Sequence, residues 1–162
     1  MKVIEKIPNM SDNELSRLFA NVMDFIDKKK QLDDAVQVKK AIQQEWQRRL
    51  NAFEQGKYKA ETPEKGVLST IGYRVGNDGL PAEKRRLLLD YLIEEILPPV
   101  GSPVHMAEWG EPETRTRYIK AHRVIQVLAS SGKTLGYMDK ATSEWLEDLK
   151  YLEEAWGHLR HL

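Results

Sequence analysis

Leu15, Leu18, Phe19, Val22, Met23 and Ile26 follow one another at three- and four-residue steps, and a second series, Ala35, Val38, Ile42, Trp46, Leu50 and Phe53, does the same. An α-helix returns to one face every 3.6 residues, so each series draws a single apolar stripe along a helix. A strand, with its period of two, would scatter the same residues over both faces. Ser11-Asp12-Asn13-Glu14 has the form of a capping box and places the start of the first helix, which runs to about Lys28. The second stripe ends at Gly56, a residue that closes helices by turning left-handed. The polar break at Lys30 and Gln31 is short, which predicts an antiparallel hairpin of two helices.

The same pattern continues downstream with more interruptions. Gly56 to Lys65 has little apolar content and contains Pro63, so residues 57–65 read as a connector between an N-terminal helical hairpin, 1–56, and a C-terminal helical module, 66–162. A short helix through Val67, Leu68 and Ile71 should stop at Gly72. Gly72, Gly76 and Gly79 then mark a loop that requires backbone freedom, with positive φ at one or more of them. Pro81 opens a helix carrying Leu88, Leu89, Leu92, Ile93, Ile96 and Leu97, which Pro98-Pro99 should end. Ser102-Pro103 opens a short helix holding Met106 and Trp109. Tyr118, Ala121, His122, Ile125, Leu128 and Ala129 form a stripe expected to stop at Ser130-Ser131-Gly132. A final helix, capped by Asp139, carries Ala141, Trp145, Leu149, Leu152, Trp156 and Leu159. The expectation is an all-α helical bundle of six or seven helices. Leu, Glu, Lys, Ala, Arg and Gln dominate the composition, and all favour helix.

Composition also excludes chemistry. The chain has no cysteine, which removes disulfides, zinc-thiolate centres and thiol nucleophiles. Its 25 basic and 25 acidic residues cancel, so no overall field draws it to nucleic acid or to anionic lipid. No apolar run approaches the roughly 20 residues that span a bilayer, and the first residues lack the apolar core of a signal peptide. The expectation is a cytoplasmic protein with no membrane partner and no cofactor.

Four constellations invite a chemical reading. Ser130-Ser131-Gly132-Lys133-Thr134 ends like a phosphate-binding loop, but Val127 stands where its first glycine belongs and a helical stripe, not a strand, precedes it. Arg117 and His122 match the Arg-x4–6-His signature of the helical HEPN ribonucleases, in which an arginine can stabilise phosphorane charge while a histidine moves protons. That signature is short, and His122 also lies on an apolar stripe, where a core histidine is the commoner occupant. His158 with His161, and His105 with Glu108, stand three apart, yet no third ligand completes either pair. Lys28-Lys29-Lys30, Lys39-Lys40, Arg48-Arg49, Arg85-Arg86 and the series Arg117, Lys120, Arg123 offer local positive charge for phosphates, interspersed with acidic residues that suit ordinary ion pairs.

Gly72-Tyr73-Arg74-Val75-Gly76, then Gly79-Leu80, then Arg85-Arg86 with Leu88-Leu89, and finally Trp145 with Asp148-Leu149 and Leu152 carry a resemblance. Over roughly Val67 to Trp156 the chain resembles a helical module of uncharacterised bacterial proteins, some of them encoded near DNA-processing or phage-defence genes. The resemblance implies a bacterial origin and a helical fold, and transfers no functional residue. The glycine loop itself sets Tyr73 and Arg74 between two helices, with Arg85 and Arg86 just inside the next, and so gathers aromatic and basic groups into a candidate binding set. The structural alternative is that Tyr73 packs and that Arg85 or Arg86 ties down loop carbonyls. The sequence therefore favours a binding role over an enzyme. A protein is the expected partner, a nucleic acid the alternative, and self-association is left open.

Overall fold

The computed structural model describes residues 2–136 and 138–162; Met1 and Tyr137 lie outside the described residues. The described chain is all-α. It forms α1 (Lys2–Lys6), α2 (Asp12–Asp27), α3 (Leu32–Glu54), α4 (Val67–Thr70), α5 (Ala82–Glu94), α6 (Pro103–Ala107), α7 (Arg115–Leu135) and α8 (Asp139–Trp156), with 3₁₀ turns at Ile7–Asn9 and Gly157–His161 and no strand among the described residues. No described helix is long and apolar enough to cross a membrane. The chain divides into two compact units. The first comprises the residues up to Gly72 together with Ile96–Met106; the second comprises Tyr73–Glu95 and Ala107–Leu162.

In the first unit α2 begins on the expected capping box. Ser11 Oγ accepts from the Glu14 amide at 3.1 Å, and the Ser11 amide donates to Glu14 Oε1 at 3.1 Å. Helices α2 and α3 run antiparallel: Asp12 meets Arg49 near one end, and Phe19 packs on Trp46 with ring centroids 5.0 Å apart. The stripe residues Leu15, Phe19, Val22 and Met23 of α2 and Ala35, Val38, Ile42, Trp46 and Phe53 of α3 are buried. Each large one stabilises the pair by roughly 1.5–3 kcal/mol relative to exposure. The tight turn between the helices forces two non-glycine residues, Lys29 (φ 55°) and Gln31 (φ 43°), into the left-handed region. Residues 2–9, for which the sequence suggests no element, form α1 and the first 3₁₀ turn, and the buried Ile7 explains why they are ordered. The stretch 57–65 lies within this unit.

The second unit is built on α5, α7 and α8, with α7 and α8 antiparallel: Gly132 faces Thr142 and Trp145, and His122 faces Glu153. Three expected boundaries move, each for a tertiary reason. Helix α5 ends at Glu94, not at Pro98-Pro99, because the carbonyls of Leu92 and Glu95 are taken by the Arg117 guanidinium, at 2.9 and 2.8 Å. Helix α7 runs through Ser130-Ser131-Gly132 to Leu135. Gly132 is a packing position and not a stop, since a Cβ there would collide with Thr142 Oγ1 and meet Trp145 Cζ3 at 3.1 Å. The stop is Gly136, at φ +74°. Helix α8 begins at Asp139 but is preceded by Met138, and no side chain among the described residues caps it.

Candidate functional site

The glycine loop before α5 has the freedom its sequence requires, with Gly72 at φ +92° and Gly76 at φ +89°. At Gly79 a Cβ would lie 2.5 Å from the Val75 carbonyl carbon. The loop is pinned by the Leu80 amide donating to Arg74 O at 3.0 Å and by the Gly76 amide donating to Glu144 Oε1 at 2.7 Å. This fold of the backbone buries Tyr73 and leaves Arg74 exposed.

Tyr73 and Arg85 converge on one carboxylate. The Tyr73 hydroxyl donates to Asp148 Oδ2 at 2.5 Å and Arg85 Nε donates to the same oxygen at 2.9 Å. Arg85 continues to Glu144 Oε2 at 2.8 Å, Leu80 O at 2.9 Å and Glu147 Oε1 at 3.3 Å. Asp148 is fully buried, and its Oδ1 makes no hydrogen bond among the described residues. Burial raises the Asp148 carboxyl above the usual carboxylate value, against the opposing pull of Arg85 and Tyr73. Burial, then the neighbouring Asp148 charge, pushes the Tyr73 hydroxyl far above its ordinary range, so it stays a neutral donor. Arg74 stands outside this network, and Arg86 touches it only at its exposed edge, through Glu147. Arg74 Nε donates to Asp78 O of its own loop at 2.9 Å, while Arg86 is exposed, 5.3 Å above the Tyr151 ring and 4.0 Å from Glu147. The four residues of the candidate set therefore separate into a buried pair and an exposed pair. The sequence does not mark Glu144, Glu147 and Asp148 as partners of the buried pair. The available signal is Asp148 itself, an acidic residue set beside the apolar series Trp145, Leu149 and Leu152 on one helix.

Among the described residues Arg117 and His122 share no partner. The Arg117 guanidinium is buried and donates to four carbonyls: Trp109 O at 3.1 Å, Leu92 O at 2.9 Å, Glu95 O at 2.8 Å and Gly110 O at 3.1 Å. Burial pushes its pKa down to about 10, which leaves it charged at neutral pH. His122 Nε2 lies 3.0 Å from Glu153 Oε1 and its ring sits 5.8 Å from that of Tyr118. Arg117 is thus placed to hold a helix end and a turn, and His122 to join α7 to α8.

A second arginine cluster, built on the Arg48-Arg49 doublet, lies in the first unit. Buried Arg49 donates to Glu45 Oε2 at 2.6 Å, Asp12 Oδ1 at 2.9 Å and Met10 O at 2.5 Å. The Tyr58 hydroxyl donates to Asp12, and the Glu61 amide donates to Asp12 Oδ2 at 3.1 Å. The connector is therefore tied to the start of α2. Exposed Arg48 donates to Glu45 at 2.9 and 2.5 Å.

The remaining constellations resolve similarly. The Ser130–Thr134 amides belong to helix α7, which removes the open backbone cradle a phosphate loop requires. No group of three or more His, Asp or Glu side chains that could hold a metal occurs among the described residues. Lys28 pairs with Asp24 at 3.0 Å, and Lys120 pairs with Glu108 at 3.0 Å. A few large apolar side chains remain exposed. On α7, Val127 is 58% exposed and Leu135 53%. Ser130, Ser131, Thr134 and Leu135 line an open depression of about 400 Å³ on the same helix. In the first unit Phe25, Leu32 and Val36 are exposed on α2 and α3. No family model, no curated protein and no solved structure matches the chain.

Proposed function

We propose that the chain is a cytoplasmic helical interaction protein that binds another protein through the outward face of α7. One observation carries the reading. Residues 127–135, Val-Leu-Ala-Ser-Ser-Gly-Lys-Thr-Leu, hold a single charge in a chain that is 31% charged, yet Val127, Ser130, Ser131, Thr134 and Leu135 are all exposed. Apolar groups around small hydroxyl residues on a helix surface suit a packed contact better than a solvated face. The buried networks of Arg49, Arg85 and Arg117 suit structural roles, and the exposed pair Arg74 and Arg86 is where a polar contact with a partner is available. The resemblance of residues 67–156 directs the search for that partner toward DNA-related and defence assemblies.

A benzophenone side chain at position 131, irradiated in host extract, is expected to form a protein adduct, and the purified adduct partner is expected to bind the unmodified chain. Val127→Glu with Leu135→Glu should abolish the adduct and leave the melting temperature within a degree or two, because both residues already face water. Adducts that survive the double change refute the reading. Steady RNA turnover by purified protein, lost in His122→Ala, would replace it with the ribonuclease.

A further inference from the structure

We infer that α7 binds an acidic protein segment, one that sets carboxylates against Arg123 and Lys133 with apolar side chains between them; the inference rests on the reading of α7 as a binding face. From Thr114 to Met138 the chain has no aspartate or glutamate, although 25 of its 162 residues are acidic, and the next longest such run, Lys65 to Asn77, is about half as long. Helix α7 fills most of that run and carries Arg115, Arg117, Lys120, Arg123 and Lys133. A solvated helix face ordinarily answers a lysine or arginine with a carboxylate three or four residues away, and α7 has none to offer.

Three of these cations are engaged within the unit. Arg117 is buried among carbonyls, Arg115 Nε donates to Arg160 O at 2.9 Å, and Lys120 pairs with Glu108 at 3.0 Å. Arg123 and Lys133 are exposed, and neither side chain has an ion pair or hydrogen bond among the described residues. Most carboxylates of the neighbouring α8 are turned elsewhere: Arg85 holds Glu144, Glu147 and Asp148, and Glu153 lies 3.0 Å from His122. At about 100° per residue, Arg123, Val127, Ser130 and Thr134 fall within a sector of about 60°, opposite the buried Ala121, Ile125 and Gly132. Lys133 flanks that stripe about 15 Å along the helix from Arg123. The complement of such a face is an apolar patch bounded by carboxylates at the same separation. Nucleic acid suits it less, since its capture rests on several phosphate contacts at once, and two free cations with Val127 between them supply too few.

The protein captured by the benzophenone at position 131, once purified, is the probe. Its cross-linked segment is expected to be rich in aspartate and glutamate. Arg123→Glu should weaken its binding about tenfold, and Lys133→Gln by less. Raising salt from about 0.05 to 0.5 M should weaken binding of the unaltered chain, since the screening length falls from roughly 14 to 4 Å. Lys40→Glu, the same charge reversal on the exposed surface of α3, should leave the affinity unchanged. Lysine in place of the partner's contacting carboxylate should restore binding to Arg123→Glu; this rescue separates a charge effect from a fault in folding. Binding that ignores both the charge reversal and the salt, or a loss that no lysine in the cross-linked segment repairs, overturns the acidic partner and leaves the interaction reading standing. An adduct that nuclease digests, or no adduct at all, overturns both.

Discussion

Each unit keeps an arginine away from water and gives it a carboxylate that also accepts from a tyrosine, but the two clusters are built differently. Around Arg49 the partners are duplicated. Glu45 is also held by exposed Arg48, and Asp12, whose side chain is 14% exposed, keeps Tyr58 and the Glu61 amide. Around Arg85 the central partner is sealed: Asp148 has no exposure and one oxygen without a hydrogen bond. The carboxyls respond in opposite senses. Burial pushes Glu45 up, but hydrogen bonds from Arg48 and Arg49 outweigh it and leave Glu45 below its ordinary value. At Asp148 burial prevails and the value rises. The same three residue types can therefore make a tolerant anchor or a brittle one, and solvent access with a spare partner decides which.

The largest effect that sharpens this contrast is expected from Arg85→Ala. It leaves the buried Asp148 with no cation and only the neutral Tyr73 hydroxyl as a donor, and should cost about 3–5 kcal/mol in urea unfolding. Arg49→Ala should cost less, about 1–3 kcal/mol, since Glu45 retains Arg48 and Asp12 reaches water. An equal or larger loss at Arg49 would erase the distinction. The pH dependence should then differ in sign. Glu45 is depressed in the fold, so its contribution is present above its unfolded value and disappears as pH falls through the folded one. Asp148 is raised, so the folded state takes up its proton first and its contribution grows as pH falls through that window. Between roughly pH 6 and 3, stability should fall more steeply than wild type in Asp148→Asn and less steeply in Glu45→Gln. Parallel curves for the two variants would break the comparison. The smallest effect belongs to Arg74→Ala and Arg86→Ala, exposed beside the sealed cluster, each expected to shift stability by no more than about 0.5 kcal/mol.

What was legible in the sequence is what local periodicity encodes. The stripes of α2 and α3, the Ser11 cap and the positive φ of Gly72 and Gly76 all follow from residues a few positions apart. The rest depends on distant partners. Ser-Ser-Gly reads as a helix stop until Thr142 and Trp145 are known to lie against Gly132. The end of α5 is set by an arginine on α7. Tyr73 and Arg85 stand out in the sequence, but what joins them is Asp148, 63 residues beyond Arg85, and no spacing rule reaches that far. Residues 2–9 carry too few apolar positions to show a period, and their order depends on the burial of Ile7.

The division of the chain into units has a consequence for how it is made. The polypeptide leaves the first unit after Gly72, returns to it at Ile96, and leaves it again after Met106. During synthesis the first unit lacks the segment that holds the buried Leu97 and Val100 until position 106 has emerged. By then Tyr73 to Glu95 have also been made, and they wait for α7 and α8 with Arg85 still unpaired. No single cut in the chain separates one unit from the other. Neither can be obtained alone by truncating the chain at one point.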